Sequence, residues 1–213
     1  MLTAQQALDR LRNGNQRFVA GTRASATVTG PARREELTQG QEPFAIILGC
    51  SDSRVPAEIV FDQGLGDLFV IRVAGNIVAP SQVGSVEFAV ECFGTRLVVV
   101  LGHTCCSAIT TTLNELQRPS GDQSRNLRSI VDRIRPAVQE LVEHADHTPH
   151  DQLLHQAVRA NIRASANHLR HGSEVLEQFI QRKGLMVVGA EYSLETGHVD
   201  FFDGVPATPA VLA

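Results

Sequence analysis

No run of apolar residues in this 213-residue chain approaches the ~20 needed to cross a bilayer. The Met1-Leu2-Thr3 start has neither a basic segment nor an apolar one behind it, so no secretory signal is expected. Aromatic residues make up only 5% and the net charge is a mild −4. No basic stripe with interleaved aromatics is visible, which argues against nucleic-acid binding. The four cysteines, Cys50, Cys92, Cys105 and Cys106, are too few and too unevenly placed for a disulfide framework. They suit a reducing cytoplasm that keeps thiolates free for a metal. No internal repeat and no low-complexity segment is present. The length fits one α/β domain with a real core.

What is present alternates. Thr3-Ala4-Gln5-Gln6 has the form of a capping box, and Ala7, Leu8, Leu11, Asn15 and Phe18 follow at helical spacing. Residues 21–40 read as a loop with a helical turn at 33–37. Phe44–Leu48, Leu68–Val73, Leu97–Leu101 and Leu185–Val188 read as strands, with Val199–Phe202 as a hairpin return. Helices are expected from an N-cap at Ser81 to Phe93, closed by Gly94, and over 104–116, 126–144 and 150–183. Pro149 and Gly172 punctuate the last region, 118–123 is a polar break, and 205–213 a weakly structured tail. The expected fold is therefore α/β, a mostly parallel central sheet of four to five strands flanked by helices.

Two clusters end two of these strands. Cys50-Ser51-Asp52-Ser53-Arg54 follows Phe44–Leu48, and His103-Thr104-Cys105-Cys106 follows Leu97–Gly102. Parallel strand ends can lie side by side, and ligands of open α/β sheets bind at the carboxyl ends. Two sulfurs, one imidazole nitrogen and one carboxylate oxygen form a tetrahedral set suited to Zn²⁺. Taken alone, Cys50, His103 and Cys106 read equally as buried thiols and a core histidine. Asp52 and Arg54 alone read as a surface ion pair of little worth. Their shared position past strand ends favours a catalytic metal site.

With these residues in view, the chain resembles a β-class carbonic anhydrase nearly end to end. The family's Cys-x-Asp-x-Arg motif matches Cys50 to Arg54, and its His-x-x-Cys motif matches His103 to Cys106. Phe69 to Asn76 resembles its second strand and following loop. Val187 to Tyr192 with Thr196-Gly197 resembles its last strand and turn. The resemblance implies one domain over 1–213, with an N-terminal helical arm and loop over 1–40 and a zinc-binding core over 41–205. It implies Zn²⁺ held by Cys50, His103 and Cys106, and reversible hydration of CO₂ to bicarbonate and a proton by zinc-bound hydroxide. Asp52 and Arg54 would form a gate, with Asp52 a fourth ligand in the closed state only. Gln41, Phe69 and Ala74 would line the substrate pocket, which in the family often draws on a second subunit. A homodimer or homotetramer is implied, with the Thr3–Phe18 helix laid over the partner. Related hydrolases of carbonyl sulfide or carbon disulfide, and a non-catalytic zinc or bicarbonate-binding protein, are the alternatives.

Some positions depart from the pattern. Ser107 stands where the family usually has Gly after the ligand cysteine. Cys105, beside Cys106, is expected to be a packed thiol. Ile47 stands where members regulated by a second bicarbonate carry Trp, although Arg72 and Tyr192 match that site's other two residues; the unregulated subtype is expected. His144, His147 and His150 straddle Pro149 and read as a solvated loop, and His155, His168, His171 and His198 as surface or helix-end residues.

Overall fold

In the computed structural model, residues 1–22, 30–118, 124–145 and 147–206 are described. The chain opens with α1 (Ala4–Val19) and the short α2 (Pro31–Glu36). Then come β1 (Ala45–Gly49), α3 (Ala57–Val60), β2 (Leu68–Arg72), α4 (Pro80–Phe93) and β3 (Leu97–His103). After these follow α5 (Ser107–Gln117), α6 (Arg125–Glu143), α7 (His150–His171), α8 (Glu174–Lys183), β4 (Met186–Tyr192) and β5 (Val199–Asp203). The strands form one sheet in the order β2-β1-β3-β4-β5. β1 to β4 are parallel and β5 returns antiparallel to β4. This is the expected mostly parallel sheet, with five strands. No described helix is long and apolar enough to cross a membrane.

β1 and β3 are buried along their whole length, as strands covered on both faces must be. Alternate residues serve opposite layers. Ile46, Leu48, Cys50, Val98 and Val100 share a core with residues of α4 to α8. Ala45, Ile47, Val99 and Leu101 share the other core with Leu8 and Leu11 of α1 and with Val60 and Phe61.

The apolar face of the N-terminal helix is covered by the chain's own sheet. Ala7, Leu8 and Leu11 are fully buried against the chain's own sheet. Burying each leucine is worth about 1.5–3 kcal/mol. The Asn15 amide adds a polar tie, donating to the Val60 and Gly197 carbonyls at 3.1 and 2.8 Å while its Oδ1 accepts the Val199 N–H at 2.9 Å. The Thr3 capping box forms as expected, with Thr3 Oγ1 accepting from Gln6 N–H and Gln6 Oε1 from Thr3 N–H.

Several boundaries move. α4 begins at Pro80 with Ala79 as N-cap, not Ser81, because proline fits the first turn of a helix. The helix expected from Thr104 starts at Ser107, after a turn. β4 runs on to Tyr192 instead of ending at Val188. The 150–183 stretch divides at Gly172, the punctuation expected there, and Ser173 Oγ caps α8 by accepting the Leu176 N–H. Most of the expected polar break (119–123) and of the expected tail (207–213) lies outside the described residues.

Candidate metal centre

β1 and β3 are hydrogen-bonded neighbours, with Gly49 opposite Leu101, so the residues that follow them converge. Cys50 is the first residue after β1, His103 the last of β3, and Cys106 the N-cap of α5. All three are buried, and one donor atom from each lies within 4.8 Å of the others. A tetrahedral Zn²⁺ with ligands at ~2.0–2.3 Å places its donors roughly 3.5–3.8 Å apart, so the cluster is of the right size. His103 supplies the clearest sign of fit. Its Nδ1 is bonded to the Thr104 carbonyl at 2.9 Å, which fixes the proton there. Its Nε2 is wholly buried and makes no hydrogen bond of ordinary geometry. A buried nitrogen without a partner, beside two thiols, is what a soft divalent cation would satisfy. Among the described residues this is the group able to hold a metal; His144, His147 and His150 are solvent-exposed, as expected.

The two thiols share one proton's worth of asymmetry. The Cys106 hydrogen bond pulls the Cys50 thiol down to about 4, against the cost of burial. The nearby His103 ring and the backbone N–H groups of Asp52 and Gly75 add to the lowering. Cys106 is pushed well up, because it donates to Cys50 and because it is buried. A divalent cation takes both sulfurs as thiolates, so binding would displace the proton that the raised Cys106 thiol holds.

Asp52 and Arg54 sit beside this cluster. Arg54 clamps Asp52 with Nε on Oδ1 at 2.9 Å and Nη2 on Oδ2 at 2.7 Å, and its backbone N–H adds a third bond to Oδ1 at 2.9 Å. Asp52 Oδ2 lies 3.9 Å from His103 Nε2. The Arg54 side-chain bonds are the main cause holding the Asp52 carboxyl well below the usual range. Two further contacts fix the frame. Arg72 donates to the Cys50 carbonyl at 3.0 Å and to the Asp52 carbonyl at 2.6 Å. Arg54 Nη2 also reaches the Cys105 carbonyl at 3.4 Å.

Cys105 is not a packed thiol. It has φ 56° in the turn between β3 and α5, and its side chain is exposed. The left-handed turn, not a helix start, separates it from Cys106. Ser107 opens α5 and is exposed in this chain. Ala74 begins the 3₁₀ turn Ala74–Asn76 whose Gly75 N–H donates to Cys50 Sγ at 3.4 Å. Gln41 and Phe69 are elsewhere in this chain. Gln41 is exposed before β1, while Cys50 follows it, and the strand alone spans ~16 Å. Phe69 packs on Phe88 and Phe93 with ring centroids 6.3 and 5.9 Å away. Gln41 and Phe93 line one cavity with Met1, Phe44 and Cys92, so Gln41 and these rings share one end of the molecule.

A family model described as carbonic anhydrase matches residues 45–199. A carbonic anhydrase of Mycolicibacterium smegmatis is 39% identical over 193 residues, covering 89% of each chain. Carbonic anhydrase 2 of Mycobacterium tuberculosis is 36% identical over 198 residues, 92% of this chain and 91% of that one. Among solved structures, the β-carbonic anhydrase CcaA superposes with a TM-score of 0.71 at 27% identity, covering 96% of this chain and 94% of the other. One of a pair described as tetrameric, from Sordaria macrospora, reaches 0.74 at 23% identity, covering 84% and 89%, and shares the fold. A buried Cys-His-Cys cluster at two parallel strand ends, on this sheet and with these relatives, places the chain in the β-class carbonic anhydrase family.

Proposed function

We propose that the chain binds Zn²⁺ through Cys50, His103 and Cys106 and catalyses the reversible hydration of CO₂ to bicarbonate and a proton. One observation carries the reading: Asp52, clamped by Arg54, stands 3.9 Å from the unpartnered Nε2 of His103. When bound, the zinc supplies Lewis acidity that makes water nucleophilic near neutral pH. Asp52 is kept ionised by Arg54 and serves as an acceptor that orients the nucleophile's O–H. Released from Arg54, Asp52 turns onto the donor triad and shuts water out, which makes the pair a gate. Ala74 borders the cluster from the turn beside Cys50.

Gln41 and Phe69 belong to the pocket of a second copy. Gln41 donates a hydrogen bond to a substrate oxygen, and the Phe69 ring supports an apolar wall for CO₂. A homodimer, or a homotetramer built from dimers, follows from this division. Its free cysteines suit the cytoplasm.

Zinc content measured together with stopped-flow CO₂ hydration tests the reading. The expected result is zinc at one per chain and hydration that rises toward alkaline pH. Turnover of carbonyl sulfide or carbon disulfide without CO₂ hydration would favour the related hydrolases. Zinc without hydration at any pH would leave a binding protein.

A further inference from the structure

Asn161 is a polar residue on the buried face of α7, 2% exposed, in line with Ala157, Val158 and Ile162. Its Nδ2 donates to the Gly75 carbonyl at 2.8 Å. Gly75 in turn donates its N–H to Cys50 Sγ at 3.4 Å, an ordinary length for a hydrogen bond to sulfur. Gly75 has φ 68° and ψ 18°, a left-handed conformation that glycine adopts without steric cost. A Cβ there would come within 2.9 Å of Ile134 Cδ1 and 3.2 Å of Ala108 Cβ. The turn is wedged between α5 and α6, and Gly75 itself has no side chain to hold it. The anchor comes from α7.

We propose that Asn161 is a positioning residue for the metal centre: by fixing the Gly75 carbonyl it aims the Gly75 N–H at Cys50 Sγ. The inference rests on the zinc site proposed above. An N–H bond to a ligating thiolate withdraws charge from the sulfur, so less reaches the metal and the site stays more electrophilic. It also fixes the direction of the sulfur before any metal arrives. A merely structural Asn161 would satisfy a buried carbonyl and no more.

Three measurements separate these roles. In the unaltered protein loaded with ¹¹³Cd²⁺, the Gly75 amide proton should show scalar coupling to the metal through Cys50 Sγ. In Asn161→Ala that coupling should vanish. The zinc dissociation constant, measured against a chelator, should rise about 10–100-fold. The thiolate-to-metal charge-transfer band of the Co²⁺-loaded variant should move to lower energy. Asn161→Ser, which retains a shorter donor, should lie between the two. Metal bound by Cys50 with no coupling at Gly75 in the unaltered protein would overturn the proposal even if Asn161→Ala failed to fold. So would zinc affinity and a Co²⁺ band unchanged in Asn161→Ala beside a lowered unfolding midpoint. Failure of the unaltered protein to take up any of the three ions would instead remove the zinc reading, and this inference with it.

Discussion

Arg54 holds Asp52 at two points, Nε to Oδ1 at 2.9 Å and Nη2 to Oδ2 at 2.7 Å, in the fork geometry that guanidinium and carboxylate share. Arg54 is half-exposed and Asp52 is not, so the pair is reachable by water from one side. That asymmetry is what a reversible clamp needs.

Arg54→Ala removes the clamp without touching a ligand. A partner that orients a metal site from outside the ligand set is typically worth 10–100-fold, so a fall of about 10–100-fold in CO₂ hydration is expected with zinc retained. Asp52→Asn should fall similarly. Kinetics and metal content measured on the same samples check this, and an Arg54→Ala enzyme of normal rate would dismiss the gate.

Cys105 carries a backbone cost. At φ 56° a side chain meets steric resistance that glycine escapes, about 1–2 kcal/mol. Cys105→Gly should be neutral to stabilising in urea unfolding, and Cys105→Val should destabilise by about 1–2 kcal/mol. Both should keep zinc, whereas Cys106→Ser should lose it along with activity. Zinc kept by Cys106→Ser but lost from Cys105→Gly would reverse the ligand assignment.

Gln41 and Cys50 lie at opposite ends of β1, which makes complementation between chains a direct test. A Gln41→Ala chain should keep zinc and lose roughly 10²–10³ in rate, the usual worth of one hydrogen bond to a developing anionic oxygen. A Cys50→Ser chain should be zinc-free and inactive. Co-expressed, the two should form mixed oligomers more active than the sum of the parents. If Gln41 serves its own chain, mixing will restore nothing.

Bicarbonate should not switch this protein. Arg72 is committed to the Cys50 and Asp52 carbonyls, and Ile47 has no donor to offer an anion. Hydration rates measured against added bicarbonate should fall along a simple hyperbola; a sigmoidal loss of activity would contradict this.

The Cys50, His103 and Cys106 cluster was legible because its residues follow continuous apolar runs, and such runs mark strands buried on both faces whose ends collect chemistry. The turn at Cys105 was not, because nothing local distinguishes a left-handed cysteine from the start of a helix. The packing of α1 was half legible: an amphipathic stripe states that a face needs cover but not whose surface provides it. The supports of the site were hidden by distance along the chain. Arg72 reaches back 22 residues to Cys50, and Asn161 reaches back 86 to Gly75. A polar residue on the buried stripe of α7 was the available sign for Asn161.

Zinc uptake should depend on pH in a direction set by the two thiols. Cys50, lowered to about 4, is already a thiolate at neutral pH and loses no proton to the metal there. Cys106 is raised, so its proton must leave when zinc binds. One displaced proton makes the apparent affinity of the site rise about tenfold per pH unit between about pH 6 and pH 8. Toward pH 4 Cys50 also takes up a proton, two must leave, and the dependence should steepen. Chelator competition across this range measures the slope, and calorimetry in buffers of different ionisation enthalpy counts the protons directly. A slope near zero at neutral pH would mean that both thiols are already ionised, and the hydrogen bond from Cys106 to Cys50 would have to be abandoned.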